Sequence, residues 1–238
     1  MSQDLSSDSQ GNSTVNLVRS SHPWTKADSA AGFVLRYLVP MRRQLTKVLG
    51  SAEHADEALK LLLAHLVSVG FGNQKQGRLR DFLLRGVRSA AKSHHTELPE
   101  KDRPPLNLEE VTLESREWLA YWRDGILERA WRALERQEHA DSGSPVFTVL
   151  HCATSQPQAT PAMLVVQIAS ETGVQLEEKL VAKTLPLSRA LFAQLVADEV
   201  AETLENPTGA DVKMEINLLG LGKAFSGVTV ETSTPKDS

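Results

Sequence analysis

The sequence predicts an all-α protein: an N-terminal helical bundle, a linker, and a C-terminal helical domain carrying a helix-turn-helix. Three observations predict it. Apolar residues recur at three- and four-residue spacing through most of the chain. Glycine and serine fall where those patterns stop. Prolines gather in one short stretch between two helical halves.

Taken in order, residues 1–30 are polar, hold Asp4 and Asp8 early on, and contain no apolar run. They read as a disordered leader rather than a signal peptide. From Gly32 to Leu49, Phe33, Tyr37, Met41, Leu45 and Leu49 follow one helix face, with Pro40 expected to kink or split it. Gly50-Ser51 should end that helix and cap the next. Ala55 to Val69 then reads as a helix stopping at Gly70-Phe71-Gly72. At about 100° per residue, Leu79, Phe82, Leu83, Val87 and Ala90 share one side of a helix over Arg78 to Lys92. Arg78, Arg85, Arg88 and Lys92 cluster opposite them, giving an amphipathic helix with an arginine-rich outer face.

Pro99, Pro104 and Pro105 mark a linker within His94 to Asn107, with the domain boundary set at 97–112. A long helix is expected from about Leu113 to Arg136, with Trp118, Trp122, Ile126 and Ala130 as its core stripe. Val146 to Leu150 is a short apolar run, and Ala153 to Pro161 reads as a loop. Met163 to Thr172, Gly173, and Gln175 onward form the expected helix, turn and second helix. Ala190 to Leu204 continues the pattern, Asn206-Pro207 closes it, and the tail after 226 is expected to fray.

The bulk numbers narrow the function. The 238 residues carry a formal net charge of −4, yet 31–103 hold 13 Lys+Arg against 7 Asp+Glu, so a basic segment sits in an acidic chain. Such a split points to a polyanion partner for one part of the molecule. A single cysteine, Cys152, excludes an internal disulfide and a cysteine-based metal cluster. No run of about 18 apolar residues predicts a membrane span, and cytoplasm is the default compartment.

Four segments, two in each half of the chain, resemble a known family. Ser51 to Glu57 is similar to the acidic helix start that bacterial sigma factors of the extracytoplasmic-function type press on RNA polymerase. Gly77 to Arg88 resembles the glycine-arginine-aromatic-arginine helix of that family's region 2, which faces minus-ten promoter DNA. Near the C-terminus, Gln167 to Val174 looks like the first helix and turn of region 4, and Ala197 to Leu204 with Asn206-Pro207 like its closing tail. The resemblance covers roughly 32–219. It implies a transcription initiation protein with core RNA polymerase and promoter DNA as partners, and an anti-sigma protein as a further one. On its pattern, Arg78, Arg80, Arg85, Arg88 and Lys92 would bind DNA, joined by Lys179, Lys183 and Arg189 of the second domain. Asp56, Glu57 and Lys60 would bind polymerase. The sequence departs from the family at Lys60-Leu61-Leu62-Leu63, where a Gln-Glu pair and aromatics are usual. It departs again at Pro186, which should leave the recognition helix short or kinked.

Other candidates carry less. Trp118, Trp122 and Trp131 at helical spacing read as packing rather than base-stacking platforms. His94-His95 reads as a solvated pair rather than a metal site, and Cys152 beside His151 lacks an orienting third group. No phosphate-binding glycine loop occurs, so no enzyme activity and no cofactor are expected.

Overall fold

The computed structural model describes residues 14–19, 24–71, 77–109, 111–141 and 143–231; the expectations for residues 1–13 and 232–238 lie outside them. The described chain is mostly helical. In the expected first helix, Pro40 coincides with a split: α1 (Ala30–Val34) passes through a short 3-10 turn at Leu35–Tyr37 into α2 (Leu38–Leu49). Pro40 sits in the first turn of α2, where its missing N–H has no intrahelical partner to lose. Gly50 adopts the left-handed conformation, and the Ser51 hydroxyl accepts from the Glu53 and His54 amides to start α3 (Ala52–Val69). Helix α4 (Leu79–Glu97) runs further than expected. It carries His94 and His95 in its last turn and stops before Pro99, whose preceding residue is held extended.

Past the proline-rich stretch come α5 (Arg116–Ala140), α6 (Val146–Ser155) and α7 (Pro161–Thr172). Gly173 caps α7 in the left-handed region, and α8 (Glu178–Glu202) follows. Pro186 does not cut α8, which runs unbroken for 25 residues. Neighbouring packing overrides the local cost: α8 lies against α5, α6 and α7. Thr208 and Asp211 form a reciprocal capping box at the start of α9 (Gly209–Leu218).

One large hydrophobic cluster draws on residues from both sides of the 97–112 segment. Met41, Leu45, Leu83 and Val87 share it with Trp118, Trp122, Ile126, Val196 and Val200. A smaller cluster of Val149, Cys152, Leu164, Ile168 and Val181 joins α6, α7 and the start of α8. These three helices therefore share a small apolar core of their own.

Two stretches expected to be unstructured are instead built into the fold. Thr14–Asn16 (β1) pairs in parallel with Thr229–Glu231 (β2), and Val15, Leu17 and Trp24 are buried. The Gln194 side chain of α8 clamps β1, accepting from the Asn16 amide at 2.9 Å and donating to its carbonyl at 2.8 Å. Among the described helices, α8 alone is long and apolar enough to cross a membrane; half of its most apolar stretch is buried within the protein.

Candidate functional site

The candidate site draws on two parts of the fold, the α3–α4 pair and the exposed face of α8 that carries Lys179, Lys183 and Arg189. Helices α3 and α4 approach closely because residue 86 is glycine: a Cβ there would meet Leu62 Cδ1 at 2.9 Å. Beside that contact a groove of about 440 Å³ opens, floored by Gly86, Ser89, Ala90 and Ser93 and edged by Leu61, His65 and Arg85.

The eight cations expected to meet DNA divide into two groups. Arg80 is inside the protein, its side chain 2% exposed, and leaves no surface to offer a phosphate. Its Nε lies 2.6 Å from Glu215 of α9, itself 2% exposed, and its Nη1 donates to Asp81 at 2.9 Å and to the Leu113 carbonyl at 3.0 Å. Arg78 faces the same carboxylate at 3.3 Å. Arg88 is half-buried and holds the carbonyls of Leu108 (3.2 Å) and Val111, tying the linker to α4. Arg85 and Lys92 on α4 and Lys179, Lys183 and Arg189 on α8 form the second group. All five are exposed, and none of their side chains makes an ion pair or hydrogen bond among the described residues.

On α3, Asp56 takes a two-bond contact from Arg42 at 2.5 and 2.9 Å, which holds its carboxyl below the usual carboxylate range. Lys60 is paired with Glu57 at 2.6 Å, one turn away and exposed. An exposed pair of this kind adds little stability and exchanges readily.

The sequence reading missed two groups. Glu215 is one: it lies in the apolar stripe formed by Val212 and Ile216 of α9 and its capping residue Leu219, and a carboxylate in such a stripe is the signal that could have exposed it. The other is the His54–His94 contact, Nδ1 to Nε2 at 2.9 Å, joining the start of α3 to the end of α4. Burial first, and then the neighbouring His54, push the His94 pKa down. Cys152 is buried and donates to Glu171 at 3.4 Å; burial and that carboxylate push its thiol up to about 11, away from nucleophilic chemistry. No group of three or more metal-ligating side chains occurs among the described residues.

No family model, curated protein or solved structure matches the chain.

Proposed function

We propose that the chain is a sigma-like transcription protein that binds core RNA polymerase through α3 and DNA through exposed cations of α4 and α8. The observation that carries this reading is the group Arg85, Lys92, Lys179, Lys183 and Arg189, all exposed and none ion-paired among the described residues. By contrast, the surface arginines Arg19, Arg42 and Arg43 each hold a carboxylate. A cation without a carboxylate partner is free to displace counterions from a phosphate backbone. The burial of Arg80 narrows the contact expected from α4 to Arg85 and Lys92, with Arg78 and Arg88 committed elsewhere. The role is one of binding rather than catalysis, in the cytoplasm, with an anti-sigma protein as a further partner.

The test is co-purification of the tagged protein with core RNA polymerase at low and moderate salt. Stoichiometric recovery is expected, and its loss in the Glu57→Arg, Lys60→Glu double variant. No recovery at either salt would overturn the polymerase contact.

A second reading is a degenerate sigma relative that keeps the fold as a protein-interaction module without promoter recognition. The commitment of Arg78, Arg80 and Arg88 to internal contacts favours it. Such a protein would bind a protein partner and show no salt-sensitive DNA binding.

A further inference from the structure

A second groove, of about 280 Å³, lies away from the α3–α4 surface, between residues 35–40 and α5. Pro40 comes close to α5 at Gly125, where a Cβ would stand 3.4 Å from Pro40 Cγ. The groove's apolar rim is uncovered, Leu35 being 52% exposed and Val39 45%. Along α5 the same groove carries Arg129, Arg132 and Arg136 on one helix face, at i, i+3 and i+7.

These arginines differ in what they have left to offer. Arg129 is held by Glu199 through two bonds of 2.6 and 2.7 Å, and its guanidinium also lies over the Tyr37 ring. Arg36, across the groove, is taken by Glu202. Arg132 has only Glu128, one turn back on the same helix, with both side chains largely exposed. Arg136 makes no ion pair among the described residues. Arg132 and Arg136 therefore present two guanidinium groups one helical turn apart, beside two uncovered aliphatic side chains.

We propose that this groove docks an acidic amphipathic helix of a partner polypeptide. Two carboxylates four residues apart on such a helix match the spacing of Arg132 and Arg136, and planar guanidinium groups take carboxylates in two-bond geometry. Apolar side chains on the same face of the partner cover Leu35 and Val39. A nucleic acid fits less well, because it would leave the aliphatic rim of Leu35 and Val39 in water.

The test uses fluorescence anisotropy with three labelled probes added to the full chain. These are a helical peptide with glutamates at i and i+4 beside leucines, a scrambled peptide of the same composition, and single-stranded polydeoxythymidine. The amphipathic peptide should bind best, and Arg132→Glu with Arg136→Glu should weaken it by about ten-fold or more, the size expected for lost charge-assisted contacts. Val39→Asp should weaken it comparably. Because these side chains are exposed, circular dichroism should match the parent protein, and the milder Arg132→Ala, Arg136→Ala variant repeats the test if it does not. Equal binding of the scrambled peptide, indifference to all three variants, or preferential binding of polydeoxythymidine at this face would overturn the proposal. So would sedimentation showing that the protein alone forms a dimer abolished by Val39→Asp. None of these outcomes depends on polymerase or promoter binding.

Discussion

His94 occupies the last turn of α4, past the Lys92 at which the sequence pattern ends that helix, and its ring is buried against His54. Around it stand Glu57 on α3 and His95 and Glu97 on α4. Its pKa is depressed in the folded state, so the unfolded chain binds a proton at a pH where the folded protein does not. Stability is then fully present above the ordinary value of 6.5 and is lost as pH falls through the folded pKa. Between pH 7.5 and 5.5 the melting temperature should drop, and by less in His94→Gln. Equal drops in the two proteins would remove His94 from the pH response. At this scale the sequence was a partial guide. Helical phase alone puts Arg80 in the stripe of Leu79, Leu83, Leu84 and Val87, but Glu215, which balances its charge, lies 135 positions away. Local pattern carries no information about a partner at that distance.

Among the elements, α4 and α9 are tied by that buried ion pair, and the start of α4 is further held by α8, where the Leu79 amide donates to the Thr203 carbonyl at 2.9 Å. Removing one member of a buried pair costs about 3–5 kcal/mol, and without Glu215 the buried Arg80 guanidinium keeps only Asp81, its neighbour on α4, as a carboxylate partner among the described residues. Glu215→Ala should therefore lower the melting temperature by roughly 10 °C. The exposed Glu128→Ala should change it little. Similar shifts for both would contradict the burial of the pair. Elements set by local chemistry were legible: the Gly50-Ser51 junction and the Gly173 cap need a positive φ or a capping hydroxyl, and the residues that supply them stand there. β1 and β2 were not legible, because each is three residues long and its partner lies at the other end of the chain. Pro186 misled for a related reason: its local penalty is outweighed by packing on neighbours that periodicity does not reveal.

For the whole molecule, the main apolar cluster joins helices on both sides of the proline-rich segment, and β1 closes onto α8 and β2. Unfolding followed by far-ultraviolet circular dichroism and by tryptophan fluorescence should give coincident transitions. Two separated transitions would mean that the halves fold independently. The mostly helical class was legible from periodicity, while the functional surface was legible only in part. Composition marked a basic segment, but which of its arginines reach solvent depends on tertiary partners.

The proposed contact of the unpaired cations of α4 and α8 with a phosphate backbone is tested by duplex DNA binding measured across a salt series. The affinity should fall linearly on logarithmic axes, with a slope near −0.9 for each phosphate neutralised. Arg85→Ala with Lys92→Ala should reduce that slope by about 1.8, the share of two contacts. Binding that ignores salt, or a slope unchanged in the double variant, would contradict it.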